Sequence, residues 1–178
     1  MVDRAASKIE RDQNPSSMKS PVQSLASGES TEVEQSSWGA YRSEDAVIST
    51  GGLGPCCGVI VFDTQTKTAT VGHFVCLSVE GGLVDEMFDF LRATRTQGSN
   101  FQAAVGGLAP MGDIRSSAEA AHLREQIIER LESVGIPRAA IETTWAEDDT
   151  TVSLEIHTAT GRIESASYDI FGDEDLFI

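Results

Sequence analysis

The chain has 178 residues, a length that suits one folded domain with a tail rather than two full domains. Acidic residues outnumber basic residues 28 to 13, and the net charge of −15 argues against nucleic acid or an anionic membrane surface as a partner. No stretch approaches the length of a membrane span, so membrane insertion is not expected.

The amino-terminal segment and the cysteine count predict a cytoplasmic location. Residues 1–13 mix acidic and basic side chains and lack the apolar run of a secretory signal. Three cysteines, two of them adjacent, do not form the even framework of a secreted disulfide-bonded domain. We therefore expect the thiols to be reduced, as they are in the cytoplasm.

Residues 1–40 are predicted to be a disordered tail. They are rich in Ser, Glu and Gln, and too few of them are apolar for burial to offset the entropy of ordering the chain. The composition changes after this point, and a folded domain is predicted over residues 41–170. The acidic segment 171–178 is predicted to be a solvated end.

The hydrophobic pattern of the domain predicts several short strands. Residues 58–62 form an apolar, β-branched run, 63–67 are polar and turn-like, and 68–74 have the pattern of a returning strand. Together these three segments predict a hairpin. Further strands are predicted at residues 46–49, 101–105, 140–146, 151–157 and 162–168.

Two amphipathic helices are predicted among these strands. Apolar residues recur at helical spacing over residues 83 to about 96, and again after Ser116. Ser116 and Glu119 have the Ser-x-x-Glu spacing of a capping box, and Gly135 ends the second helix. The mixed order of the elements predicts an α+β fold, in which two helices pack on one side of layered β-sheets.

Cys56 is the candidate nucleophile. It follows a glycine-rich segment and stands at the start of a buried strand, where we expect its thiol to be open to a substrate. Gly52 and Gly54 can adopt backbone conformations closed to other residues. The amides of Cys56 and Cys57 can donate hydrogen bonds to an oxyanion, which thiol-based acyl chemistry requires.

His73 is the candidate base. It lies at the end of the returning strand of the predicted hairpin, so antiparallel pairing brings it back beside the start of the first strand, where Cys56 lies. A cysteine nucleophile needs such a base to form its thiolate. The same positions also fit a histidine packed in the core near a buried cysteine, and the pattern alone leaves both interpretations open.

The segment around these two residues resembles the CheD family of chemoreceptor glutamine deamidases. Leu-Gly-Pro-Cys at residues 53–56, the apolar strand after it and Gly-His-Phe at residues 72–74 are similar to the family's Leu-Gly-Ser-Cys, strand and Asn-His-Phe pattern. Thr50 stands six residues before Cys56, where the family has a catalytic threonine. Weaker similarity extends over about residues 46–168.

The resemblance implies a fold and an activity. The family's α/β/β sandwich is related to the deamidating domain of cytotoxic necrotizing factors, and its members are cysteine-dependent protein-glutamine deamidases that need no cofactor or metal. In this activity Cys56 attacks a glutamine carboxamide, His73 transfers protons and Thr50 orients the imidazole. The implied substrate is a protein that presents a glutamine, such as a chemoreceptor, and family members also bind a chemotaxis phosphatase.

Two other functions remain compatible with the same motif. One is a catalytically silent adaptor that keeps the CheD-like fold and binds a signalling partner. The other is a toxin-like deamidase that acts on a foreign protein. Retention of Thr50, Cys56 and His73 together favours an enzyme over the adaptor.

The remaining titratable residues have plainer interpretations. Cys57 should point to the opposite strand face from the candidate nucleophile and pack as a small hydrophobe. Cys76 lies three residues beyond the candidate base, but the cysteines and this histidine match no zinc spacing. His122 and His157 are predicted to lie on the surface.

Overall fold

The computed structural model describes residues 22–75, 81–112 and 115–170, and this part of the chain forms ten strands and two α-helices. The strands are β1 Val22–Ser24, β2 Glu29–Glu32, β3 Ser37–Arg42, β4 Ala46–Thr50, β5 Cys57–Asp63, β6 Thr68–Phe74, β7 Phe101–Gly107, β8 Ile141–Trp145, β9 Thr150–His157 and β10 Arg162–Asp169. The helices are α1 Gly81–Thr94 and α2 Ser117–Ser133, and a short 3-10 helix spans Arg138–Ala140.

The strands form two stacked sheets with the helices on one side. One sheet has the order β1-β3-β6-β5-β7-β8, and the other has the order β10-β9-β4-β2. One buried apolar cluster contains side chains from both sheets and fills the space between them. A second cluster contains side chains from the six-stranded sheet and both helices. The predicted α+β fold, with two helices on one side of layered sheets, is confirmed.

The predicted hairpin is the centre of the six-stranded sheet. β5 and β6 pair antiparallel, with Gly58 opposite His73 and Cys57 opposite Phe74. Every residue of both strands is buried. This follows from their position, because one face of the hairpin packs on the helices and the other packs on the second sheet.

The helix signals also match the structure. Ser116 Oγ accepts a hydrogen bond from Glu119 N at 3.2 Å, and Glu119 Oε2 accepts one from Ser116 N at 2.7 Å. The predicted capping box is therefore confirmed. α1 begins two residues before its predicted start and ends at Thr94. Among the described helices, none combines the length and the apolar character that crossing a bilayer requires.

The structure corrects the predicted disordered tail over residues 22–40. β1, β2 and most of β3 lie in this segment. β3 pairs with the inner strand β6 and with β1, while β2 pairs with β4 in the other sheet. The prediction is wrong because backbone pairing holds these strands, whereas the side chains of β1 and β2 are mostly exposed and polar. Residues 1–21 and 171–178, predicted to be a tail and a solvated end, lie outside the described residues.

Candidate active site

Thr50 and His73 meet in the layer between the two sheets. Thr50 is the last residue of β4 in the four-stranded sheet, and His73 is the second-last residue of β6 in the six-stranded sheet. Thr50 Oγ1 lies 3.0 Å from His73 Nδ1, and both side chains are buried. The imidazole is thus held from its Nδ1 side by a residue of the opposite sheet.

A second contact of Thr50 assigns the proton on the imidazole. Thr50 Oγ1 also lies 3.0 Å from the carbonyl oxygen of Val33, which can only accept a hydrogen bond. The single hydroxyl proton is therefore donated to Val33, and the hydroxyl oxygen accepts from His73 Nδ1–H. In the neutral imidazole this arrangement leaves Nε2 as the basic nitrogen.

Cys56 lies on the same sheet face as His73. It directly precedes β5 and packs between the sheets with Ile60 and Phe62. Gly58 is opposite His73, so Cys56, two residues earlier, is a diagonal neighbour of the imidazole. Diagonal neighbours lie roughly 7–8 Å apart between Cα atoms, which is within reach of an aromatic side chain. The structure therefore brings all three predicted site residues to one region of the sandwich.

The thiol is less accessible than its glycine-rich surroundings predict. Cys56 is 3% exposed and His73 is 2% exposed, so the expectation of an open thiol is wrong for this conformation. Packing of the second sheet over β5 is the physical reason. His73 lines an open pocket of about 370 Å³, whose other walls are residues 32–35 and Gly51. The pocket thus meets the site at the imidazole rather than at the thiol.

Cys57 has a different environment from the candidate nucleophile. It is fully buried on the helix-facing side of β5, together with Val59 and Val61. Burial raises the pKa of the Cys57 thiol far above its ordinary value, the neighbouring Cys56 adds to this effect and the charge of Arg115 opposes it. The two cysteines point to opposite faces as predicted, and Cys57 is held in its protonated, unreactive form.

The glycine-rich loop before β5 is held by backbone hydrogen bonds to neighbouring segments. Leu53 and Val152 exchange N–H···O bonds of 3.0 and 3.3 Å, and Ala109 donates to the Gly54 carbonyl at 2.9 Å. Gly52 has a φ of 71°, as expected for a conformation closed to other residues, whereas Gly54 has no positive φ. These bonds fix the approach to the candidate nucleophile.

Gly58 has no side chain, and the Leu53 side chain packs into the space where a Cβ would lie. A Cβ at Gly58 would collide with Leu53 Cδ1 and would lie 3.3 Å from Leu154 Cδ1. We expect Gly58→Val to lower the free energy of unfolding by about 1–3 kcal/mol, because overpacking strains a rigid core. Chemical denaturation measures this loss. Gly82→Ala is the control, since nothing lies within 4 Å of a Cβ there, and a Gly58→Val variant as stable as wild type would contradict the packing.

Arg124 anchors the segment that donates a hydrogen bond to the Cys56 carbonyl, and the sequence alone does not predict this role. Leu108 N donates to the Cys56 carbonyl at 2.8 Å. Arg124 Nη2 in turn donates to the Leu108 carbonyl at 3.0 Å and to the Ala146 carbonyl at 2.8 Å, and its guanidinium lies 5.2 Å from the Trp145 ring centroid. Burial lowers the pKa of Arg124, and the charge of a nearby glutamate opposes this shift.

Replacing Arg124 with alanine is expected to lower the free energy of unfolding by about 2–4 kcal/mol, because two buried carbonyls lose their charged donor. Leu108 and Ala146 are both buried, so water does not readily replace the guanidinium. Thermal and denaturant unfolding measure the loss. Arg138→Ala is the matched control, since Arg138 pairs with Glu125 on the surface, and little change is expected there. Equal stability of the two variants would contradict the anchoring role.

The other titratable candidates lie apart from this arrangement. His122 is exposed on α2, as predicted, whereas His157 is only partly exposed. His157 Nε2 lies 2.8 Å from Glu155 Oε1 and 3.3 Å from Glu164 Oε1. Cys76 lies outside the described residues. Within residues 22–75, 81–112 and 115–170, no group of three His, Cys, Asp or Glu side chains is arranged to hold a metal ion.

Comparison with known proteins finds a distant relative in sequence. No family model matches the chain. The hypothetical protein YfiH of Bacillus licheniformis aligns in structure over 64% of this chain and 52% of that chain, with 14% identity and a TM-score of 0.46. A Haloarcula marismortui protein named probable chemoreceptor glutamine deamidase CheD is 25% identical over 144 residues, which cover 71% of this chain and 80% of that protein. The sequence match supports a CheD-like relationship.

Proposed function

We propose that this chain is a protein-glutamine deamidase in which Cys56 is the nucleophile, His73 the general acid and base, and Thr50 the residue that orients His73. The observation that carries the proposal is the buried Thr50–His73 hydrogen bond, on the sheet face that Cys56 shares. Similarity to a protein named as a chemoreceptor glutamine deamidase supports hydrolysis of a glutamine side chain as the reaction.

The first half of the reaction forms a thioester. Cys56 gives its proton to His73 Nε2, and the resulting thiolate attacks the carbonyl carbon of the glutamine carboxamide. Backbone amides at Cys56 and Cys57 stabilise the oxyanion of the tetrahedral intermediate. His73 then returns the proton to the departing nitrogen, the C–N bond breaks, and ammonia leaves. The glutamine side chain remains bound to Cys56 through its acyl carbon.

The second half hydrolyses the thioester. His73 Nε2 takes a proton from water, and the hydroxide adds to the acyl carbon. The tetrahedral intermediate collapses with cleavage of the C–S bond, and the protonated His73 gives its Nε2 proton to the departing sulfur, so glutamate is released and Cys56 regains its thiol. Every step uses Nε2, and the bond from Nδ1–H to Thr50 keeps that nitrogen basic in the neutral imidazole.

The proposed substrate is a protein segment that presents a glutamine, and a chemoreceptor is the first candidate because of the relative's name. The pocket beside His73 is bordered by Glu32 and Glu34, both exposed, so an approaching carboxamide passes these carboxylates. Because Cys56 is buried in this conformation, substrate binding must also widen the layer between the sheets near the thiol. A cytoplasmic setting, where thiols stay reduced, suits this chemistry.

Incubation with the cytoplasmic portion of a chemoreceptor tests this function. Peptide mass spectrometry should detect glutamine-to-glutamate conversion at defined sites, with one ammonia released for each conversion. The same incubation with a Cys56→Ala variant is the control. Equal conversion in both samples would contradict deamidation of chemoreceptors. So would the absence of conversion across a panel of receptors, provided that Cys56 of the wild-type chain reacts with alkylating agents.

A catalytically silent adaptor is the second candidate, and the burial of Cys56 favours it. In that function the chain keeps the Thr50–His73 pair as a structural contact and binds a signalling partner such as a chemotaxis phosphatase. The two candidates differ in thiol reactivity. An adaptor predicts that Cys56 is alkylated no faster than an ordinary buried thiol, whereas the enzyme predicts preferential labelling of Cys56 near neutral pH.

A further inference from the structure

Arg115 lies directly before the capping residue of α2 and reaches back to the loop that precedes β5. Its Nη1 donates to the Pro55 carbonyl at 2.8 Å and to the Ala109 carbonyl at 3.3 Å. The guanidinium therefore joins the loop that carries Cys56 to the segment that follows β7. Hydrogen bonds from a charged donor are stronger than those between neutral groups, so this contact fixes the Pro55 carbonyl.

The bond to Pro55 determines the direction of the next amide. A trans peptide unit is planar, and its C=O and N–H point to opposite sides. Holding the Pro55 oxygen towards Arg115 therefore holds the Cys56 N–H on the side away from the guanidinium. The same bond polarises the amide and makes that N–H a stronger donor. Rotation of this peptide, which would turn the N–H away, is opposed by the charged contact.

The guanidinium of Arg115 also places a positive charge at the peptide bond that precedes Cys56. It opposes the larger rise that burial causes in the pKa of the adjacent Cys57, whose thiol stays protonated. Cys56 is the adjacent residue, and its own preceding peptide bond accepts the hydrogen bond from Arg115. A cation near a cysteine increases the thiolate fraction and with it the rate of nucleophilic attack.

We propose that Arg115 is a positioning residue for the deamidation reaction, which holds the Cys56 amide as an oxyanion donor and stabilises the Cys56 thiolate. The first part rests on the proposed function, because an oxyanion forms only during turnover. The second part can be measured in the resting protein. Arg115 touches neither substrate nor reacting atoms in this account and acts through the peptide bond and the charge that it supplies.

Two substitutions and one control test the proposal in the full chain. Arg115→Met removes the charge and the hydrogen bonds, and Arg115→Lys keeps the charge without the planar guanidinium. Arg95→Met is the control, because Arg95 Nη1 donates to the Val134 carbonyl at 2.8 Å, at a different part of the fold. The alkylation rate of Cys56, read by peptide mapping from pH 5 to 10, is compared with kcat and KM for deamidation.

Arg115→Met should move the alkylation profile of Cys56 to higher pH and lower kcat about 10- to 100-fold with little change in KM, because a misdirected oxyanion donor weakens only the transition state. Arg115→Lys keeps the positive charge, so its alkylation profile should be close to that of wild type, while its kcat should remain lower than that of wild type. Arg95→Met should match wild type in both measurements. This separation of effects is not expected from a residue that only stabilises the fold.

A folded Arg115→Met variant with the wild-type alkylation profile and kcat would overturn the proposal, as would a rise in KM alone. If Arg115→Met does not fold, the Lys variant decides, and an unchanged kcat in that variant counts against the positioning role. If wild type deamidates no substrate, the proposed function fails by itself. The alkylation profiles then still show whether Arg115 stabilises the Cys56 thiolate.

Discussion

Replacing Cys56 with alanine is expected to abolish glutamine deamidation, whereas replacing the adjacent Cys57 with alanine should leave the activity largely intact. The reason is the opposite orientation of the two side chains. Cys56 shares its sheet face with His73, and Cys57 is buried against the helices, where its thiol stays protonated. Ammonia release, measured with the same glutamine-containing substrate, compares the variants.

Stability measurements serve as the control for this pair. Both cysteines are buried, so each alanine substitution should cost on the order of 1 kcal/mol, and a difference in activity then does not come from folding. An inactive but folded Cys57→Ala variant, beside an active Cys56→Ala variant, would mean that the nucleophile is assigned to the wrong residue. The register of β5 against β6 would be wrong with it.

Replacing His73 with glutamine is expected to lower the deamidation rate by about 10²- to 10⁴-fold, the usual contribution of a general acid and base. Alkylation of Cys56 near neutral pH should slow as well, because the imidazole no longer takes the thiol proton. Thr50→Val removes the partner of His73 Nδ1 and keeps the side-chain shape, so it should cause a smaller fall in rate.

His157→Gln is the control for these variants, because His157 lies beside surface glutamates at the end of β9. It should retain the wild-type rates of deamidation and of Cys56 alkylation. If His73→Gln folds and deamidates at the wild-type rate, the histidine is a core residue, and the alternative interpretation of its sequence position holds. Equal deamidation rates in Thr50→Val and wild type would show that Thr50 has no role in the reaction.

Local patterns account for what the sequence predicts about the fold. The β5–β6 hairpin follows from an apolar run, a short polar turn and a second segment with the pattern of a returning strand, and its register follows from the turn that pairs Asp63 with Thr68. The capping box of α2 depends only on the spacing of Ser116 and Glu119. These features involve residues close in sequence, so one segment contains the whole signal.

Contacts between segments that are far apart in the sequence leave no comparable pattern in it. β2 and β4 pair in parallel, and the polar side chains of β2 give no sign of it. The proximity of Thr50 to His73 depends on how the two sheets stack, so the sequence suggests it only through the family resemblance. The side chains of Arg115 and Arg124 bind backbone carbonyls, and any residue can supply a carbonyl. The burial of Cys56 likewise depends on the second sheet.

Trapping the acyl-enzyme tests the central claim most directly. Wild type is mixed with a glutamine-containing substrate peptide, quenched in acid within one turnover and digested for mass spectrometry. We expect a thioester on the fragment that contains Cys56, with an added mass equal to the substrate less ammonia, and we expect it in Cys57→Ala but not in Cys56→Ala. An adduct on Cys57 or Cys76 instead, or glutamate formation that persists in Cys56→Ala, would contradict the assignment of Cys56 as the nucleophile.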